Sequence, residues 1–312
     1  MQIWRTPDAL PADLGRTVLC VGNFDGVHLG HQHVLRRARD LADSLGVEHV
    51  VVVTFDPHPM AVLRPEHAPP VLTSLAWRVR ALAEAGADAT YVVGFDMSVA
   101  QWTPEEFVDR ILVDALHAKG VVVGANFRFG HRAAGDVAML RELGASRDFV
   151  VDGVELDGGP QVWSSTYVRH CLATGDVSGA AEALGRPFTV TGVVIRGDQR
   201  GRELGFPTAN VPTPADSAAP ADGVYAGWLT RLDTGERFPA AISVGTNPTF
   251  AGERERRVES YVLDRTDLDL YGVEVEVAFV DHLRGMVAFE GIEKLIETMH
   301  DDVRRARALL TP

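Results

Sequence analysis

The stretch "VGNFDGVHLGHQHVL", residues 21–35, closes an apolar run and then sets His28 and His31 three positions apart with Gly30 between them. The preceding run, "TVLCVG" (17–22), reads as a buried strand. After it Val34, Leu35, Ala38, Leu41, Ala42 and Leu45 recur at helical spacing. The stretch is thus a strand handing over to a helix, and residues at i and i+3 share one face of the first turn. A helix N-terminus adds unpaired N–H groups and a partial positive charge, so an anion is the natural ligand. Gly30 has no side chain to hold a phosphate or an adenine ring off the backbone.

Working outward, "VEHVVVVTF" (47–55), "ATYVVGF" (89–95) and "GVVVGANF" (120–127) read as further buried strands. "TPEEFVDRILVDALHA" begins with Thr103 as an N-cap and Pro104 at the first helical position. Strands alternating with helices predict a parallel sheet with right-handed crossovers. Ligands of such sheets bind beyond the carboxyl ends of the strands, the edge where His28 and His31 fall. Near "ALGRPFTV" (183–190) the pattern changes to strands alone: "FTVTGVVIRG", "GVYAGWLTRLD", "RFPAAISVGTN", "VESYVLD" and "VEVEVAFVDHL". Val273, Val275 and Val277 alternate with Glu274 and Glu276, the mark of a half-buried antiparallel strand. The chain closes with a helical stripe of Ile292, Leu295, Ile296, Met299, Val303, Ala306 and Leu310. The expected architecture is α/β plus β: a Rossmann-like domain over 1–185, then an antiparallel barrel with a terminal helix over 186–312.

Composition narrows the function. With 312 residues, 46% hydrophobic and 23% charged, the chain can bury a real core. A net charge of −13 argues against a nucleic-acid footprint. No apolar run approaches the roughly 20 residues of a membrane helix. "MQIWRTPDALPADLG" has no basic stretch followed by an apolar core, so a cytoplasmic protein is expected. Cys20 and Cys171 give no disulfide framework and read as buried free thiols. Lys119 and Lys294 are the only lysines among 30 Lys and Arg, and the P-loop pattern is absent. Phosphates would therefore be met by arginine, histidine, backbone N–H groups and a metal ion.

Other motifs fall at strand ends and helix starts. They are "TFDPHP" (54–59), "GANFRFG" (124–130) with Asn126 and Arg128, and "SSTYVR" (164–169) with Ser164, Ser165, Thr166 and Arg169. In the second half "GDQRGRELGFPTAN" (197–210) carries Gly197, Gly201 and Gly205, then Pro207, Thr208 and Asn210. In an extended segment i and i+2 point the same way, so Thr208 and Asn210 could contact one Mg²⁺ or phosphate. Glu259 in "VESYVLD" lies in a strand, where burial would raise its pKa toward that of a general base; an outward Glu on an edge strand is the alternative.

"HLGH" directly after a strand resembles the H-x-G-H signature of the nucleotidyltransferase superfamily. Together the motifs resemble the bifunctional prokaryotic riboflavin kinase/FMN adenylyltransferases, or FAD synthetases: "GNFDGVHLGH", "TFDPHP", "GANFRFG" and "SSTYVR" on one side, "RGRELGFPTAN", "GVYAGW", "GTNPTF", "VESYVLD" and "DLYG" on the other. Trp163 departs from the aliphatic residue that the pattern has before the double serine. The resemblance implies ATP-dependent phosphorylation of riboflavin to FMN, then adenylylation of FMN to FAD with release of pyrophosphate. It makes His28, His31 and Glu259 catalytic and Thr208 and Asn210 ligands of Mg²⁺ and ATP phosphates. Gly22, Phe24, Gly30, Asn126, Ser164, Ser165, Thr166, Arg169, Gly197, Gly201, Gly205 and Pro207 become ATP- or phosphate-binding. Riboflavin, FMN and ATP are the expected partners, with no nucleic acid and no membrane; a homo-oligomer stays open. The rival readings are an adenylyltransferase of another specificity and a flavin-binding protein without turnover.

Overall fold

Strand β2 (Thr17–Val21) is buried along its whole length because it lies inside a six-stranded sheet covered on both faces. The computed structural model describes residues 1–155, 163–197, 204–248, 254–265 and 267–310. The sheet is parallel. Its order is β1 (Gln2–Trp4), β4 (Ala89–Gly94), β3 (His49–Asp56), β2, β5 (Ala118–Gly124) and β6 (Val150–Val154). The four predicted strands form its centre.

Successive residues of each strand serve opposite faces. Val18, Cys20, Val50 and Val52 pack with Val34, Leu35 and Ala38 of α1 (Leu29–Leu45) and with Leu82 of α3 (Leu75–Glu84); α2 is the short Pro59–Leu63 turn. Leu19, Val21, Val51 and Val53 pack against Phe107 of α4 (Pro104–Phe107), against Ile111 and Leu112 of its π-helical continuation (Val108–Ala115), and against Leu140 of α5 (Val137–Ser146). Each fully buried aliphatic side chain contributes about 1.5–3 kcal/mol. Cys20 is part of this packing, and its burial drives the thiol pKa upward, which makes it inert. Lys119, early in β5, binds Asp148 at 2.8 Å, and Lys294 binds Glu297 at 2.6 Å.

The chain forms two compact units, Met1–Ser164 and Ser165–Pro312. The second opens with α6 (Ser165–Thr174) and α7 (Val177–Leu184). Its sheet is antiparallel, in the order β7 (Phe188–Val193), β12 (Glu274–Gly285), β9 (Gly223–Arg231), β10 (Arg237–Pro248), β11 (Arg254–Val262), β8 (Thr208–Thr213). A bridge between Ile195 and Asn210 brings the chain after β7 to β8 and nearly closes the barrel. Alternate residues fill its interior, among them Val211, Leu229, Ile242, Val258, Val277 and Phe279. Helix α8 (Ile292–Leu310) covers part of the outer wall, with Ala306 and Leu310 against Val224, Ala226 and Ala241. Arg284 of β12 and Asp302 of α8 pair through Nη2 and Oδ2 at 2.7 Å. Among the described residues no helix is long and apolar enough to cross a membrane.

Candidate functional site

His28 is the N-cap of α1: its Nδ1 accepts the backbone N–H of His31 at 3.3 Å. With Nδ1 accepting, the neutral ring carries its proton on Nε2. The two imidazoles stack with centroids 3.6 Å apart, and the His31 ring rests on Phe24 at 4.9 Å. The i, i+3 spacing thus places the rings together as expected. Phe24 is itself buried at 2% exposure, so it supports the His31 ring from below. Burial, then the His28 ring, then Arg78 hold the His31 pKa well below the usual histidine range. Its Nδ1 is buried with no hydrogen-bond partner among the described residues, which suits a polar group brought by a ligand. A Cβ on Gly30 would lie 3.1 Å from the His28 ring and 3.2 Å from the Trp163 carbonyl oxygen. The absent side chain therefore lets the histidine loop and the 163–164 segment close together.

Two charged residues that support the pair were given no role by the sequence, although Asp25 lies within residues 21–35. Asp25, 1% exposed, accepts hydrogen bonds from the Leu72 and Thr73 backbone N–H groups at 3.0 Å and from the Thr73 hydroxyl at 3.1 Å. Arg78 lies 3.8 Å from it and donates to the carbonyls of Phe55 and Thr73, both at 3.4 Å. The network ties the loop after β2, the end of β3 and the start of α3 into one support. The network joins residues far apart in sequence, so no local motif could announce it.

A cavity of about 810 Å³ opens at the carboxyl ends of the strands. Phe55, Phe95, Trp102, Phe107, Phe127 and Phe129 line it, with Gly22, Asn23 and the exposed Arg64, Arg128 and Arg132. Its walls suit a flat aromatic ring and its arginines an anionic group. Asn23 Nδ2 lies 3.2 Å from His58 Nε2, and His58 Nδ1 accepts the Met60 N–H. Asn126 sits exposed in the turn after β5, outside that lining. Ser164 ends the first unit, while Ser165, Thr166 and Arg169 stand on the opening turns of α6.

In the barrel unit β8 pairs with β11 so that Asn210 faces Glu259 and Thr208 faces Tyr261 directly across the ladder. Side chains opposite one another in an antiparallel pair lie on the same face with Cβ atoms about 4.5–5.5 Å apart. Asn210 is buried, and its Nδ2 donates to Thr208 Oγ1 at 3.3 Å, so the i, i+2 pair does converge. Strand β11 is interior to the sheet, between β10 and β8, and Glu259 is half-buried. A Cβ on Gly197 would come within 2.5 Å of Asn210 Oδ1, so this glycine is dictated by the close approach of its loop. Thr208, Asn210, Pro207 and Gly197 line a cavity of about 420 Å³ with Arg196 and Tyr271, whose cation–ring distance is 5.4 Å. Gly205 takes a left-handed φ of 87° in the turn before β8; Gly201 lies outside the described residues.

Comparison with known proteins bears on both units. Residues 10–166 match the FAD synthetase family model and residues 184–310 match that of riboflavin kinase. The bifunctional riboflavin kinase/FMN adenylyltransferase of Pseudomonas fluorescens is 38% identical over 100% of this chain and 99% of its own length. The protein of that name from Listeria monocytogenes is 36% identical over 93% and 91%. A solved structure from Streptococcus pneumoniae, described as a macrolide-efflux protein, has a TM-score of 0.87 at 30% identity, covering 98% of both chains. A stacked histidine pair at the edge of a parallel sheet and a Thr–Asn–Glu cluster on a barrel wall thus occupy the two matched halves, and the chain belongs to the bifunctional riboflavin kinases/FMN adenylyltransferases, which make FMN from riboflavin and FAD from FMN.

Proposed function

We propose that the two reactions run at separate centres, FMN adenylylation at His28 and His31 and riboflavin phosphorylation at Glu259, Thr208 and Asn210, with 1–185 and 186–312 as the functional segments. The observation that carries this is the register setting Glu259 opposite Asn210, with Thr208 on the same face. A carboxylate beside neutral oxygen ligands is what a phosphoryl acceptor needs. Glu259 takes the proton of the ribityl 5′-hydroxyl as that oxygen bonds to the γ-phosphorus of ATP and ADP leaves. Thr208 and Asn210 would hold Mg²⁺ together with the phosphates. The donor set fits: Thr208 and Asn210 bring neutral oxygens to one cavity, and Mg²⁺ prefers few protein ligands plus substrate phosphates. When bound, the ion neutralises phosphate charge.

At the other centre an oxygen of the FMN phosphate bonds to the α-phosphorus of ATP and pyrophosphate leaves. His28 and His31 donate hydrogen bonds to the phosphate oxygens as charge builds on them. The aromatic cavity takes the isoalloxazine ring. Ser164, Ser165, Thr166 and Arg169 steady the triphosphate and Asn126 helps place a substrate, both on the family resemblance. Two buried free cysteines agree with a place of action in the cytoplasm.

The test separates the centres. Glu259→Gln should lower FMN formation by about 10²- to 10⁴-fold and leave FAD formation from supplied FMN intact. Replacing both His28 and His31 by alanine should do the reverse. Full kinase turnover in folded Glu259→Gln refutes the base; loss of both activities in the folded double variant refutes the division.

A further inference from the structure

Ser260 follows Glu259 in the barrel wall, and this chemistry does not use it. It lies on β11 opposite Ala209 and Ile242, on the other face of the strand from Glu259, and it is fully buried. Its interior neighbours along the strand are Val258 and Val262. Its Oγ has no hydrogen-bond partner among the described residues. A buried hydroxyl left unpaired is destabilising, and an alanine or valine would fill the wall without that cost. A polar group kept in such a place calls for a partner that comes and goes.

Ser260 also lines the 420 Å³ cavity that holds Thr208 and Asn210. Its fellow lining residues include the buried apolar Val194, Ala209, Val262 and Leu270, while Arg196, Arg265, Asp267 and Asp269 bring charge to the rest of the lining. The lining thus combines polar and charged residues, suited to phosphates, with a buried apolar group that carries a single hydroxyl. We propose that Ser260 is a specificity-determining residue of the kinase, its hydroxyl hydrogen-bonding the nucleobase of the ATP whose phosphates lie at Thr208 and Asn210.

The buried apolar residues around this one hydroxyl disfavour the charged triphosphate there and favour a flat, neutral group with a hydrogen-bonding edge. Two such groups enter this reaction, the purine and the flavin. The flavin's hydroxyl must meet Glu259, which is not among the lining residues, whereas the phosphate ligands are. The cavity is therefore on the donor side. This rests on the reading of Thr208 and Asn210 given above.

Ser260→Ala and, for comparison, Thr208→Ala are assayed with riboflavin and either ATP or GTP, alongside melting temperature and FAD formation from FMN. Ser260→Ala should raise KM for ATP about five- to thirtyfold, leave kcat nearly unchanged and shrink the preference for ATP over GTP. Because an orphan hydroxyl is removed, the melting temperature should hold or rise, which a merely structural serine does not predict. Thr208→Ala should lower kcat. Unchanged ATP and GTP parameters in Ser260→Ala, with Thr208→Ala impaired, overturn the Ser260 assignment alone and leave a core serine satisfied by trapped water. Full kinase activity in both variants overturns the Thr208–Asn210 reading and this proposal with it.

Discussion

Neutral imidazole is the resting form of His31, since burial, His28 and Arg78 all oppose a positive charge there. An unfolded histidine takes up a proton at about pH 6.5, whereas folded His31 resists protonation until a distinctly lower pH. Between those two values the unfolded chain binds more protons, so His31 makes stability rise with pH through that window and contributes nothing to the slope above it. Melting temperature measured from about pH 7 downward should therefore fall less steeply in His31→Gln than in the parent. Equal slopes would contradict the buried neutral ring. The pairing of His28 with His31 was legible because i and i+3 meet on any helix. Asp25 and Arg78 were not, because a network joining residues 25, 54, 73 and 78 exists only once the loops have folded. Ser260 was equally silent: in sequence it is an ordinary residue of an alternating strand.

Elements differ in how loudly their residues announce them. The central strands of the parallel sheet are near-continuous valine runs and stand out. Strand β1 has three residues, two of them exposed, and β6 is interrupted by Asp152 and Gly153; both are edge strands, where burial imposes no pattern. Strand β8 carries Pro212 and was readable only as an extended segment. Helix α8 was plain from its stripe, yet part of what fixes it to the barrel is polar. Asp302 is 4% exposed and receives Arg284 through Nε at 3.0 Å and Nη2 at 2.7 Å. Removing one partner of such a pair strands the other charge, so Asp302→Ala should cost about 3 kcal/mol in chemical denaturation. A loss below about 1 kcal/mol would place this pair with ordinary surface ion pairs.

For the molecule as a whole, the change from alternating strand and helix to strands alone was enough to foresee two architectures. The compact units divide at Ser164/Ser165, earlier than the pattern change near residue 185, because α7 packs with barrel strands β7 and β12 and α6 packs on α7. Amphipathic helices declare that they have a buried face without declaring against what. The scarcity of lysine has a practical consequence. Besides the terminal amine, only Lys119 and Lys294 offer a primary amine, one tied to Asp148 and the other to Glu297, and neither lines the two cavities described. Tethering the enzyme to an amine-reactive resin should therefore leave both turnover rates close to those in solution. Carbodiimide activation, which has 43 carboxylates to choose from and Glu259 among them, should silence FMN production unless substrates shield the site.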